Sequence, residues 1–537
     1  MVYLKFGLHY TLSMSDSLNK FQQNRFISAL FRPFSAGAAS ILLVLASLLS
    51  YVGGLFRDIL LGNYFGASGL TDMYNSAFLV PDLIYTLTTA GALSGIFLPV
   101  FRSRQLKDAK EGAELAGSFL ILSQLFVLVM SVLAFIFMPQ ILHLMLNTAS
   151  SAEIAQITGM SRIMLLSPII FTISNTFGSI LITFKHYLAY AFSAAFYNIG
   201  ILIGLVLFHD SMGIMSGVVG VGIGLALHLG LRLIDYAKLD FGVSFKFWSP
   251  GIKDIVKLAV PKTVSLLTWQ SSLWFYNIVG YTLVAGSISA FYYARNIQSF
   301  AVSIFGIAIA TSVFPFLVDM KEEGKMDELV SKMHSSILQI LVFTLPAAVG
   351  LAILDRQVVD VLLGRGAFDE ADIIMTAGVL FFFAFSIPFE SLMHLLSRVY
   401  YAFHNTIIPV LINVLFLVIN VGGTYLFASK YGVNSFSIFF TVASVVQIGL
   451  LGAFIGRFVK LNWGFLLVRF VKIVVATALM GLVVFLVSSL IEQTELDLIV
   501  SILVGVMVYF AALKPMDMIR YTGMNRFMLS LKRVFKR

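Results

Sequence analysis

Residues 40–66, SILLVLASLLSYVGGLFRDILLGNYFG, decide the fold. The run is long and apolar enough to cross a ~30 Å hydrocarbon layer as one helix, yet it carries Arg57 and Asp58 in its second half. Charges at membrane depth cost roughly 2.5–3.5 kcal/mol each on insertion scales, and they persist where they face a cavity, a partner or a substrate. One stretch thus supplies both the class of the chain and its first functional candidates.

The rest of the sequence agrees with that class. Of 537 residues, 59% are hydrophobic, 12% are charged and fifty are phenylalanine; a soluble domain carries about 25% charged residues. Without cysteine there is no disulfide, thiol nucleophile or thiolate-held metal. Apolar runs of ~20 residues or more give about fourteen spanning helices, an all-α integral membrane protein. They cover 37–62, 70–101, 113–143, 153–183, 187–208 and 212–235, then 254–283, 287–318, 328–353, 372–402, 406–429 and 434–457, and finally 464–490 and 496–513. Continuous rather than alternating apolar runs exclude a β-barrel.

Basic residues fall in every second loop. Arg102, Arg104, Lys107 and Lys110 follow span two and Lys185 follows span four; Arg232, Lys238, Lys246, Lys253 and Lys257 surround the loop after span six. Lys321, Lys325 and Lys332 follow span eight, Arg457 and Lys460 follow span twelve, and seven basic residues crowd the last 24 positions, while the alternate loops hold only Arg356, Arg365 and Lys430. The positive-inside rule then sets both termini in the cytoplasm. It also explains the net charge of +9 by topology, without nucleic acid. Residues 1–36 lack the apolar core of a cleavable signal and read as a cytoplasmic tail.

The chain repeats itself. FGASGLTDMYNSAFLVPDLIYTLTTAGALSGIFLPVF (65–101) matches TLVAGSISAFYYARNIQSFAVSIFGIAIATSVFPFL (282–317), with Pro99 and Pro315 standing 216 residues apart. A second echo links SRIMLLSPIIFTISNTFGSILITFKHY (161–187) with GVLFFFAFSIPFESLMHLLSRVYYAFHN (378–405), each with a mid-helix proline, Pro168 and Pro388. Six spans separate the copies, so the halves insert in one orientation, a transporter architecture with the substrate site between repeats. The expected domains are a tail (1–36), an N-lobe (37–250), a C-lobe (251–460), two extra helices (461–513) and a basic tail (514–537).

Four cations fall in or near spans: Arg57, Arg162, Lys262 and Arg295. Arginine's fixed fork of donors suits phosphate, and two such groups suit a pyrophosphate, so Arg57 and Arg295 are the leading ligands of an anionic group in a cavity between the halves. Asp58, about 100° round the helix from Arg57, is expected to pair across helices or shape the cavity as local electrostatic support. Thr71 and Asp72 open span two as an N-cap, Asp72 doubling as a cavity candidate. Ser289 is a cap or a polar cavity contact, and Lys262 snorkels or faces the cavity. Glu390 suits a cation, a proton relay or an arginine partner, and Asn413 with Asn420 suits interhelical glue. No GxxxxGK[ST], no HExxH and no Cys/His cluster occurs, which favours moving a substrate over making or breaking bonds.

Several of these segments resemble the MurJ (MviN) lipid II flippases of the MOP exporter superfamily: FRDILLGNYFGASGLTDMYNSAFLVPDLI with GALSGIFLPVF, AFYYARNIQSF with GIAIATSVFPFL, LLGRGAFDEADI and LLSRVYYAFHNTIIPVLINV. The resemblance runs from about residue 37 to 513. It implies two six-helix lobes, a central cationic cavity and a lipid-tail groove formed with the last two helices. It also implies alternating access that carries undecaprenyl-pyrophosphate-linked peptidoglycan precursor (lipid II) from the inner to the outer leaflet of a bacterial plasma membrane, with lipid II, membrane lipids and cell-wall synthesis enzymes as partners. No cofactor is implied beyond coupling to membrane potential or a monovalent cation. Arg57, Asp58 and Asp72 match the family pattern. Tyr85 and Asn296 stand where the family places arginines, Ala90 replaces a glutamate, and Arg295 comes one residue early; the cavity is therefore expected to be less cationic or to recruit Arg162 or Lys262. The alternatives are a flippase for another lipid-linked oligosaccharide, a MATE-like drug/cation antiporter and a membrane scaffold.

Overall fold

The computed structural model describes residues 36–90 and 96–522. Helices follow in the order α1 (Ala36–Phe65), α2 (Gly69–Ser76), α3 (Leu79–Tyr85), a π turn (Thr86–Ala90), α4 (Phe97–Lys107), α5 (Ala109–Met145), α6 (Ser151–Met164), α7 (Leu166–Thr183), α8 (Leu188–Met212) and α9 (Met215–Tyr236). Then come α10 (Gly251–Gly280), α11 (Ser287–Ala301), a second π turn (Val302–Ile307), α12 (Ala308–Glu322), α13 (Met326–Ile353), α14 (Asp355–Leu363), α15 (Glu370–Ala384) and α16 (Ile387–Ala402). The series closes with α17 (Ile407–Tyr431), α18 (Asn434–Ile455), α19 (Trp463–Ser488) and α20 (Thr494–Leu513).

Among the described residues, eleven helices are long and apolar enough to cross a membrane, or twelve with the pair α15 and α16, which bends by 45°. The other two expected spans exist in altered form. Span two is divided into α2, α3, the π turn and α4, while α10 is one 30-residue helix whose first turns carry Lys253, Asp254 and Lys257. The tail 1–36 lies outside the described residues apart from the backbone of Ala36, as do the last residues of the basic tail and the side chain of Lys262.

The chain forms two compact units: residues up to Leu61 with Leu70–Trp274, and Gly62–Gly69 with the chain from Phe275 onward. The division falls inside α10 rather than at residue 250, and α19 and α20 group with the second unit. The short segment 62–69 belongs there because the 364–372 loop holds it. The Ala367 amide donates to the Asn63 carbonyl (2.8 Å) and the Ala67 amide to Asp372 Oδ2 (2.9 Å).

Duplication is visible in backbone detail. α8 and α17 both have 25 residues and α9 and α18 both 22, each pair offset by 219 positions. The π turns begin at Thr86 and Val302, offset by the 216 residues that separate Pro99 and Pro315. Lys185 and His404, also 219 apart, carry positive φ just past the ends of α7 and α16 (65° and 56°). In each case the next amide reaches back to close the helix end, His186 to the Leu181 carbonyl and Asn405 to that of Tyr400.

In the first unit α8 and α9 lie backbone to backbone. A Cβ on Gly200 would stand 2.2 Å from Gly224 Cα, and one on Gly204 2.3 Å from Gly220 Cα. Close approach through small residues spaced four apart is how membrane helices gain dispersion contacts, since lipid tails offer no hydrophobic penalty to escape. α6 starts on a capping box in which Ser150 and Glu153 satisfy each other's amides. In the second unit Leu338, Ile340, Tyr400, Ile473 and Tyr509 share one buried core. Asp497 then ties α14, α19 and α20 together by accepting from Gln357, Ser488 and Ser501 at 2.7–2.9 Å.

Candidate substrate-binding residues

In the first unit α1 carries Arg57 and Asp58 as a pair. Arg57 Nε and Nη2 both donate to Asp58 Oδ1, at 3.0 and 2.8 Å. Adjacent helical residues point about 100° apart, but the long arginine side chain curls round to its neighbour, so Asp58 pairs along α1 itself. Asp58 is buried, whereas the Arg57 side chain keeps 26% of its surface exposed. Nη1 and the outer edge of the fork are left for another oxyanion, with Tyr74 and Tyr197 within electrostatic range. Thr71 and Asp72 are both buried in the first turn of α2.

A second arginine of this unit, which loop charge assigns to the cytoplasmic loop after span six, lies elsewhere. Arg232 lies within α9 and is 4% exposed. Nε donates to Ser193 Oγ on α8 (3.0 Å), and Nη1 donates to the Ser174 carbonyl (2.9 Å) and Asn175 Oδ1 (2.5 Å) on α7. The guanidinium sits over the Tyr190 ring at 5.0 Å. Asn175 in turn donates to the Tyr85 hydroxyl at 2.9 Å, so the tyrosine found where the family places an arginine is linked to an arginine from another helix. Gly178 makes the room: a Cβ there would meet Arg232 Nη1 at 2.8 Å. The signal that could have revealed this residue was its position, a full turn before the end of the sixth apolar span.

In the second unit Arg295 is fully engaged. Its Nη1 and Nη2 bind Glu390 Oε2 and Oε1 at 2.8 Å each, and Nη1 also reaches Gln298 Oε1 at 2.7 Å. Gln298 closes the ring by donating to Ser386 Oγ and Glu390 Oε2, both at 2.9 Å. Arg295 and Glu390 side chains are each 12% exposed, and the Phe440 ring covers the guanidinium at 4.7 Å. A forked pair with its carboxylate already bound is poorly suited to take a phosphate as well. Of the three roles open to Glu390 in the sequence, the structure gives it that of arginine partner.

The remaining candidates divide as follows. Arg162 donates Nε to the Phe135 carbonyl at 2.9 Å and lies over the Phe135 ring at 4.7 Å. That carbonyl is four residues before Pro139, which lacks the N–H that would satisfy it within α5. Arg162 therefore satisfies the carbonyl that the proline leaves open. Ser289 is fully buried in the first turn of α11. Asn413 accepts from Gln447 at 2.7 Å, and Asn420 donates to Tyr276 at 2.5 Å, each an interhelical contact. No group of three or more metal-ligating side chains occurs among the described residues.

Two duplicated helix bundles, each with a π break in its second long segment, define a multi-spanning α-helical membrane protein. The solved structure of a lipid II flippase MurJ in an inward closed conformation shares that fold, with a TM-score of 0.77, 23% identity, and 88% of this chain and 98% of that one covered. A multidrug resistance MATE family transporter of the MOP superfamily follows at 0.65 and 14% identity over 78% of this chain and 98% of that one. The profile of the family described as lipid II flippase MurJ matches residues 61–506, and the chain belongs to that family. Similar curated proteins are the probable lipid II flippases MurJ of Rickettsia prowazekii (25% identical, 91% of this chain and 99% of that protein) and Bdellovibrio bacteriovorus (27%, 88% and 93%). That of Aquifex aeolicus is 27% identical over 85% of this chain and 90% of its own length.

Proposed function

We infer that this chain is a lipid II flippase, moving the undecaprenyl-pyrophosphate-linked peptidoglycan precursor from the inner to the outer leaflet by alternating access. The observation that carries the reading is membership of the lipid II flippase MurJ family along residues 61–506, with relatives so named matched over nearly their whole length. The bacterial plasma membrane is the compartment in which such a substrate resides, and basic alternate loops favour both termini on its cytoplasmic side.

In this reading Arg57 is a ligand of the pyrophosphate. Its half-open fork presents two-point donors to a phosphate, while Asp58 fixes its direction and offsets its charge in the empty state. Arg295 acts through Glu390 and Gln298 to hold α11 against α16, as a positioning residue. The apolar outer faces of α19 and α20, with Leu467, Leu482, Phe485, Ile502 and Leu503 exposed, suit the polyprenyl tail. No bond is made or broken, so the work comes from differential binding and from the membrane potential, about 2.3 kcal/mol per elementary charge per 100 mV.

The test is replacement of the resident lipid II flippase in a depletable bacterial strain. Rescue by this chain and loss of rescue by Arg57→Ala, at equal membrane abundance, are expected. Absence of rescue by the unaltered chain overturns the substrate assignment, and full rescue by Arg57→Ala overturns the role of Arg57.

A further inference from the structure

We propose that Arg232, with Asn175 and Tyr85, forms a second phosphate-binding site, inside the first unit and separate from Arg57. Three observations carry it. Arg232 is 4% exposed, and no carboxylate of the described residues lies within ion-pair distance of it. A buried arginine without a counter-charge is costly, and membrane proteins tolerate such a residue where a ligand or cavity requires it. Second, the guanidinium is used on one side only: Nε and Nη1 are held by Ser193, the Ser174 carbonyl and Asn175, while Nη2 makes no hydrogen bond among the described residues. Third, the groups beside it, Tyr85, Asn175 and Tyr190, are only half-buried, so polar and aromatic atoms next to the charge stay accessible.

The acids around this cluster are otherwise placed. Asp235, one turn further along α9, pairs with His186 at 3.0 Å. Asp82, one turn before Tyr85 on α3, is exposed and forms no ion pair with Arg57 or Arg232, though it lies within electrostatic range of Tyr85. His228 is engaged with Ser174 Oγ at 2.8 Å. An anion at Nη2 would meet its two N–H donors, with Tyr85 within electrostatic range and joined to Nη1 through Asn175, its own proton available to donate because its oxygen accepts from Asn175. Tyr85 is the residue at which α3 gives way to the π turn, a form found mostly as single turns at functional sites.

The ligand class is a phosphate oxyanion. On the lipid II reading, on which this identification rests, it is the substrate's diphosphate as it enters from the end of α9 expected to face the cytoplasm. Detergent-purified full-length protein is titrated with inorganic pyrophosphate, with a polyprenyl diphosphate in mixed micelles, and with chloride as a competitor. Saturable pyrophosphate binding is expected, tighter for the polyprenyl diphosphate. Arg232→Gln should weaken it by about ten-fold or more, the loss of a charged hydrogen bond, and Tyr85→Phe by a few-fold. If Arg232→Gln does not fold, Arg232→Lys and Tyr85→Phe carry the test.

Binding unchanged in the variants, or none by the unaltered protein, overturns the site. So does saturation by chloride at the same concentration, which would mark a halide site. Arg232-dependent binding in a chain that fails to rescue flippase depletion keeps the anion site and removes only the lipid II assignment.

Discussion

Arg232 in the first unit and Arg295 in the second are both buried arginines of duplicated bundles, yet their electrostatic situations are opposite. Arg295 is closed into a ring with Glu390, Gln298 and Ser386 under two phenylalanine faces. Arg232 is held only by neutral acceptors and keeps one nitrogen unused. A neutralised buried pair is a structural element that is expensive to break but has little to offer an incoming anion. An unneutralised one is a standing cost that a negatively charged ligand relieves. The two arginines stand on non-equivalent helices of the repeat, α9 and α11, so the difference lies in the local partners each helix meets.

The comparison can be broken in order of effect. Glu390→Ala leaves Arg295 buried and unpaired and should cost about 3–5 kcal/mol, read as a large drop in the thermal unfolding temperature of the purified protein. The double replacement Arg295→Met with Glu390→Leu should recover most of it. A single variant as stable as the parent would show that the ring is not a fastening. Gln298→Leu removes the bridge between Ser386 and Glu390 and should cost about 1–3 kcal/mol by the same measurement. Arg162→Met strands the Phe135 carbonyl above Pro139, for about 1 kcal/mol, and should leave rescue of flippase depletion intact. Lost rescue at normal abundance would return Arg162 to the substrate path. Gly178→Ala should cost about 1 kcal/mol or more, because the added methyl stands 2.8 Å from Arg232 Nη1 and 3.0 Å from the Tyr190 ring, and it should weaken pyrophosphate binding by pushing Nη1 off its Ser174 and Asn175 acceptors.

Most of the fold was legible because membrane helices announce themselves by length. The repeat was legible from Pro99 and Pro315, which stand at equivalent points inside the helices that follow the π breaks. The π turns themselves were not, since TLTTA and VSIFGI read as uninterrupted apolar helix. Pairings were the weakest point. Charge and position singled out Arg57, Glu390 and Arg295, but which acid meets which arginine depends on the rotation of α11 against α16. Asp58 was judged by helical phase, which fixes where a Cβ points and not where an arginine's flexible end arrives. Loop charge, which sets the topology, places Arg232 outside the membrane region. A basic residue at the end of a span counts toward orientation whether its side chain snorkels outward or turns inward, and only the serine and asparagine acceptors on α7 and α8 decide which.

The most direct measurement is the pyrophosphate-induced stabilisation of the purified full-length protein in three forms: unaltered, Arg232→Gln, and the Arg295→Met with Glu390→Leu double replacement. At a hundred times the dissociation constant a bound ligand adds about 2.7 kcal/mol. The stabilisation should persist in the double replacement and fall to about 1.4 kcal/mol or less in Arg232→Gln, where a ten-fold weaker site is at only about ten times its dissociation constant. Loss in the double replacement with retention in Arg232→Gln would assign the anion to the paired arginine and contradict the distinction between the two units.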